Sequence, residues 1–377
     1  MTLIFLKGVY QSLQIRLPLF FYKLVGYSKS QVYLTKEKLA AKKFEWQKKG
    51  KIKVFTIFSI SNWESVFLDP LSDFGVVHHF SWPNQKIFFS NKYEWYEYHT
   101  KVNKDLTTEF DHFYSQTCNI LVFIYASDFS ISEATMRYLN RPNVLIVSFC
   151  WDDLLYFKGK VKGQPVGISK LSKMVDINLT MSPEAIPRYN FYGSPCFFWS
   201  AVPLYDIASD EVHQVASDSS FYVLFVGSKY GWRADFIGKL VKAGIDVHCY
   251  GAGWDNGPLS QEEMKLAIQK APVTLGFANI GYTKKCTTIK GRDFEVPLYG
   301  GLYLTQYSEG LSRYYQPGKE VLTYRNFSEC LKQLYIIKHN REITNAIRIA
   351  GHQKAVVYGS WQSRFAYLRQ LINQIID

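Results

Sequence analysis

Residues 290–305 read KGRDFEVPLYGGLYLT. Two cations, Lys290 and Arg292, and two carboxylates, Asp293 and Glu295, stand just ahead of a short helix, a Gly300-Gly301 break and an apolar strand. Proline is tolerated only near the first turn of a helix, so Pro297 predicts Glu295 at the helix start, with Lys290 and Arg292 on the loop before it. Backbone N–H groups at a helix start, with Lys or Arg beside them, hold phosphate, and a carboxylate accepts hydrogen bonds from a diol. A nucleoside-diphosphate sugar carries both groups, so the segment points to glycosyl transfer. The same residues equally suit a charged loop capping an ordinary helix, because the helix dipole favours a carboxylate there with or without a ligand.

Two further turns carry the same chemistry. In VGSKYGWR, residues 226–233, Gly227 and Gly231 let backbone approach a ligand, and Lys229 and Arg233 sit where a diphosphate would be neutralised. A plain tight turn between strand and helix explains the motif as well, since it falls short of a full GxGxxG. YGAGW, residues 250–254, ends a strand at Gly251, where ligands of open α/β sheets sit. Upstream, Asp152 and Asp153 end a strand and are candidates to bind or deprotonate an acceptor hydroxyl. The competing reading is an Asp that N-caps the helix beginning LLYF. His78-His79 follows the strand-like GVV and offers a second candidate base, or a core or surface histidine pair. No DxD motif is present and no metal is expected, so cations must offset charge on a leaving diphosphate. The six cysteines form no CxxC pair, which argues for reduced, buried thiols in a cytoplasmic protein rather than zinc or disulfides.

These residues need a scaffold. Short apolar runs at 53–60, 119–126, 143–151, 176–182 and 196–202 alternate with helical stretches, the pattern of a parallel sheet covered on both faces. Residues 205–220, YDIASDEVHQVASDSS, are polar and acidic and read as a linker. A second series then starts, with strands at 221–228, 245–251 and 273–278 and helices from Ala234 to Ala243 and near Gln261–Gln269, and the last forty residues look helical. The expected architecture is therefore α/β, two Rossmann-like domains facing a cleft, with C-terminal helices. Its boundaries are a basic, aromatic helical segment over 1–50, an acceptor domain over 51–204, the linker, a donor domain over 221–358, and a helix over 359–377 that packs back on the first domain.

At 377 residues, 47% hydrophobic and 17% aromatic, the chain is globular rather than disordered. The formal charge of +12 favours anionic partners. Its cations are dispersed, and neither zinc-finger spacing nor an RNA-binding signature is present, so nucleic acid is not the expected partner. Residues 3–26 are apolar but broken by Lys7, Arg16, Pro18 and Lys23, too interrupted for a membrane span or a signal peptide. They suit either a helix lying on an anionic membrane surface or one packed on the protein's own body.

FVGSKYGWR, GIDVHCYGAGW, LSQEEM, KGRDFEVPLYGG, YYQPGKEVLTY and SECLKQL, in that order, resemble the C-terminal domain of CgeB-like glycosyltransferases. These form a branch of the GT-B superfamily related to retaining family-4-type enzymes, and the resemblance spans about 221–370. It implies that Glu295 contacts ribose hydroxyls, and that Lys290, Arg292, Arg233 and the Gly227-Ser228 turn surround the diphosphate. It further implies a UDP- or GDP-linked sugar as donor substrate, no separate cofactor and retaining hexosyl transfer. The basic, aromatic N-terminus, which suits an anionic membrane, adds the expectation of a glycan or glycolipid acceptor in polysaccharide biosynthesis and of a cytoplasmic enzyme peripheral to the membrane's inner face. One departure stands out: related retaining enzymes carry a second glutamate about eight residues before the ribose glutamate, where this chain has Cys286-Thr287-Thr288. A non-catalytic nucleotide-sugar or glycan binder of the same fold is the alternative this leaves.

Overall fold

The computed structural model describes residues 2–24, 39, 52–59, 64–83, 89–161, 164–199, 220–284, 286–358 and 361–376. The chain divides into two compact units. One combines Leu17–Ser200 with Arg364–Asp377, and the other combines Met1–Arg16 with Ala201–Ser363. The proposed linker and the lysine-rich stretch after residue 35 fall almost wholly outside the described residues.

In the first unit, strands β1 (Ile52–Phe58), β2 (Gly75–Phe80), β3 (Asn119–Tyr125), β4 (Val144–Cys150), β7 (Ile177–Thr180) and β8 (Cys196–Phe198) form one sheet in the order β2-β1-β3-β4-β7-β8. Every pairing in it is parallel. Strands β5 (Lys158–Val161) and β6 (Gln164–Gly167) make a separate antiparallel hairpin. The central strands are apolar at nearly every position because both faces are covered. On one face Phe55, Ile57, Val122, Ile124 and Ile146 meet Leu106 and Phe110 of the Lys92–Phe113 helix. On the other, Phe123 and Phe149 stack at 5.1 Å. Phe67 and Trp199 pack edge-on against the same two rings. Phe365 of the Trp361–Ile376 helix joins this aromatic layer, 5.5 Å from Phe123, and Trp199 Nε1 donates to the Arg364 carbonyl at 3.1 Å.

The second unit repeats the plan with five parallel strands, β9 (Val223–Val226), β10 (Val247–Tyr250), β11 (Val273–Gly276), β12 (Tyr303–Gln306) and β13 (Leu322–Tyr324). Their order, β10-β9-β11-β12-β13, reverses direction at β9, as the first sheet does at β1. Both are Rossmann-like, and loops at the carboxyl ends beside such a reversal are where this architecture places ligands. Trp232, Phe236 and Leu240 of one helix and Leu334 and Ile337 of another bury the apolar strand residues.

Three features depart from the sequence reading. His78 and His79 lie inside β2 rather than after a strand, and each has its own carboxylate, Glu109 and Glu64 respectively. The 22-residue Lys92–Phe113 helix was not foreseen, because only Val102, Asn103, Leu106, Phe110 and Phe113 are buried along it while its first turns carry Tyr, Glu and Trp. Its start is nonetheless marked: the Asn91 side chain accepts from the N–H groups of Tyr93 and Glu94, both at 2.9 Å. Thirdly, the helix expected to begin at Glu295 begins at Arg292 and ends at Leu298. Pro297 is its sixth residue, and in so short a helix its missing N–H forfeits a single bond.

Candidate functional site

The carboxyl ends of β9, β10 and β11 and the Arg292–Leu298 helix carry most of the candidate residues. After β9 the chain turns through Gly227 and Ser228 into the Arg233–Lys242 helix. Gly227 donates to the Tyr250 carbonyl at 2.8 Å, Lys229 donates to the Ala252 carbonyl at 2.8 Å, and Trp254 Nε1 donates to the Gly227 carbonyl at 2.9 Å. The turns after β9 and β10 are thereby stitched into one surface. Gly251 has φ +126°, and a Cβ there would lie 2.5 Å from the Gly227 carbonyl oxygen. Glycine is needed at 251 for that backbone contact. Gly231, at φ +62°, packs against the Gly281 carbonyl, and a Cβ there would lie 3.2 Å from that oxygen, a tight contact.

Arg292 ties the distant segment to this surface. Its Nε donates to the Val226 carbonyl at 3.0 Å, one residue before Gly227, and its Nη1 pairs with the Glu295 carboxylate. Arg292 is therefore a first-turn residue of the helix, not a loop residue, and its guanidinium is held between β9 and Glu295. Glu295 is 8% exposed, close to the backbone of Gly291. Behind them Asp293 is buried; it accepts from the Lys290 N–H at 2.6 Å and from the Tyr303 hydroxyl at 2.9 Å. Burial pushes its carboxyl up to about 6, against the hydrogen bonds that favour the charged form. Spacing alone gives Asp293 no role distinct from its charged neighbours; the fold makes it the residue that shapes the Lys290 loop. Downstream, Gly300 at φ +76° lets its N–H reach Pro297 and the Gly301 N–H reach Val296, at 2.9 and 2.8 Å, closing the helix as the Gly-Gly break predicts.

Arg233 plays a different part from the one expected. It is buried, its Nη1 donates to the Ser228 carbonyl at 3.0 Å, its Nη2 donates to the Tyr230 hydroxyl at 2.9 Å, and its guanidinium lies 4.0 Å from the Tyr230 ring centroid. Among the described residues no carboxylate pairs with it. Desolvation lowers its pKa. Its guanidinium thus lies beneath the turn, held by a carbonyl, a hydroxyl and an aromatic face. Lys229 Nζ lies 4.9 Å from the Trp254 ring centroid.

Residues 233–370 match the family model of glycosyl transferase-like proteins. The chain has the GT-B fold. HepE of Anabaena, in complex with UDP and glucose, is similar with a TM-score of 0.54 at 9% identity, over 86% of this chain and 99% of that one. Sucrose-phosphate synthase of Thermosynechococcus elongatus is similar with a TM-score of 0.52 at 13% identity, over 92% of each chain. The N-terminal domain of Candida albicans trehalose-6-phosphate phosphatase gives 0.54 at 10%, over 86% and 97%. At these identities the likeness is one of fold. No curated protein matches the sequence.

The glycosyl transferase-like stretch thus contains Arg233, Gly251, Lys290, Arg292 and Glu295, with Gly227 and Ser228 just ahead of it. Within it, Cys286 and Thr288 are buried and Thr287 is half-exposed, bridging to Asn279. In the other unit of this GT-B fold, Asp152 and Asp153 follow β4, and the structure separates their roles. Asp152 is exposed, and its side chain makes no capping hydrogen bond. Asp153 is wholly buried, accepts from the Tyr189 hydroxyl at 2.9 Å, and has its carboxyl pushed up to about 7 by burial. A side chain enclosed in this way cannot meet an acceptor, which corrects its candidacy. The same unit holds a cavity of about 270 Å³ lined by Trp95, His99, Asp128, Glu133, Arg137 and Lys170 among others. Among these, His99 Nε2 is buried with no hydrogen-bond partner among the described residues. None of these cavity residues stood out in the sequence, because they come from three separate segments.

Proposed function

We propose that the protein is a glycosyltransferase of the CgeB-like branch, moving a hexose from a nucleoside-diphosphate sugar to a glycan or glycolipid with retention of configuration. The observation that carries this reading is the Arg292 bridge, which sets Glu295 beside the Gly227-Ser228 turn through the Val226 carbonyl. A carboxylate for ribose hydroxyls and a cationic, glycine-lined turn for phosphates then occupy one surface. Glu295 accepts the ribose hydroxyls; Lys290, Arg292 and Lys229 face the diphosphate, and Arg233 adds positive potential from beneath. UDP is the first nucleotide to test, since HepE was solved with UDP and glucose. These cations supply the charge that a leaving diphosphate needs, so chelation by EDTA should leave transfer unchanged. Asp152, the exposed carboxylate after β4, is the candidate to meet the acceptor hydroxyl.

The test is calorimetry and thermal shift against UDP, GDP, CDP, ADP and their sugar conjugates, followed by transfer to glycan acceptors with the product's anomeric configuration read by NMR. Binding of one nucleotide family together with turnover is expected; no stabilisation by any of them rejects the donor site. Cys286-Thr287-Thr288, standing where related retaining enzymes have a carboxylate, favours a second reading. In that reading the protein binds the nucleotide sugar without transferring it, and tight binding with neither transfer nor hydrolysis would select it.

A further inference from the structure

The helix Thr2–Leu24 has two unlike faces. One is seated on the second unit's loop after β11. The Gln11 side-chain oxygen accepts from the Tyr282 N–H at 2.8 Å, and Lys7 lies 4.1 Å from the Tyr282 ring centroid. Gly8 approaches so closely that a Cβ there would be 2.4 Å from the Tyr282 carbonyl oxygen, and Ile15 is buried on the same side. The opposite face is apolar and open. Leu6, Val9, Tyr10, Leu13, Leu17 and Phe20 are between 41% and 66% exposed. At about 100° per residue these six fall within an arc of about 100°, a continuous stripe along the helix. On the same wheel Lys7 lies on one flank of the stripe and Arg16 on the other, and the whole segment has no acidic residue.

We infer that this face docks on an anionic lipid bilayer, the helix lying in the plane of the interface. An apolar stripe of Leu, Tyr and Phe buries into the acyl boundary, and cations along both margins pair with lipid phosphates. No helix among the described residues is long and apolar enough to cross a membrane, so the helix rests on the surface. A second copy of the chain fits less well, because two such faces would bring cationic margins together with no acidic residue on either helix to pair with them. The helix also rests on the loop whose Gly281 carbonyl packs against Gly231 of the candidate donor turn. Docking would thus orient that turn relative to the membrane. The inference stands independently of the transferase reading.

Co-sedimentation with vesicles tests it. The full chain should bind phosphatidylglycerol vesicles and leave pure phosphatidylcholine vesicles in the supernatant, with binding weakened by salt. L6Q/L13Q/L17Q, altered only on the open face, should lose at least about tenfold in apparent affinity while keeping its helical circular dichroism and its melting temperature. Arg16→Glu should weaken binding to the anionic vesicles alone, and it serves if the triple variant misfolds. Absence of vesicle binding by the unaltered chain, or equal binding by a folded triple variant, overturns the inference. So does a concentration-dependent dimer in lipid-free buffer that the triple variant abolishes, since the stripe would then belong to a second copy.

Discussion

Glu295 and Asp153 are both carboxylates in poorly hydrated surroundings, yet their partners set them to opposite tasks. Glu295 has a guanidinium beside it and a little exposure, so it stays available to accept hydrogen bonds from a ligand. Glu295→Ala should weaken UDP binding by roughly 1–3 kcal/mol, the range for stranding a hydrogen-bonding group, here both ribose and Arg292. Calorimetry reads this directly, and an unchanged dissociation constant rejects the ribose assignment. Asp153 accepts from the Tyr189 hydroxyl, and burial lifts its carboxyl to about 7 from an ordinary 3.8, outweighing the nearby Arg188 charge that favours the ionised form. Between those two values the folded chain keeps a proton that the unfolded chain has lost, so this group's contribution to stability falls as pH rises from about 4 to 7. Asp153→Asn lacks that dependence. In urea melts the variant should gain on the unaltered protein by about 1–4 kcal/mol between pH 5 and pH 8. A difference that stays constant with pH would show that Asp153 is charged throughout.

At the scale of elements, the candidate site is a set of turns held in register by backbone contacts. Gly251 exemplifies this: its φ of +126° and its approach to the Gly227 carbonyl leave no room for a side chain. Gly251→Ala should destabilise the second unit by roughly 1–3 kcal/mol and also weaken UDP binding, because Gly227 must shift to admit the methyl group. A variant with unchanged melting temperature and unchanged binding would show that the two turns are independent. Much at this scale was legible in the sequence. Strands β3, β4 and β7 to β11 lie within the apolar runs that mark them, whereas β1 starts at Ile52, one residue ahead of its run, and β2 continues through His78-His79 to Phe80, beyond the GVV that marks it. Pro297 predicts a start at Glu295, three residues later than the Arg292 start of the helix. In fact the Asp293 carboxylate accepting the Lys290 N–H, with Tyr303 behind it, decides where the turn closes. That is a contact between segments ten residues apart, beyond what local propensity encodes.

Taken whole, the molecule has two aromatic-rich cores, one per sheet, and its candidate nucleotide residues all belong to one of them. Hydrogen exchange should therefore show UDP protecting residues 226–233, 250–257 and 290–295 and leaving β1 to β4 unchanged. Protection around the Trp95–His99 cavity in place of those loops would move the nucleotide to the other unit. The sequence alone determined the fold class, since apolar runs of strand length alternating with helices admit few arrangements other than parallel sheets covered on both faces. It also determined which segment is chemically unusual, because Lys290, Arg292 and Glu295 are adjacent in the chain. Tertiary structure alone decided that Arg292 reaches Val226 across 66 residues, that Arg233 lies beneath the turn with no carboxylate partner among the described residues, that Asp153 is enclosed while Asp152 is open, and that the Thr2–Leu24 helix turns its apolar stripe outward. Each of these depends on which side of an element faces a distant neighbour. Solvent access and partners at that distance set a side chain's charge and reach, and neither is written in the spacing of residues along the chain.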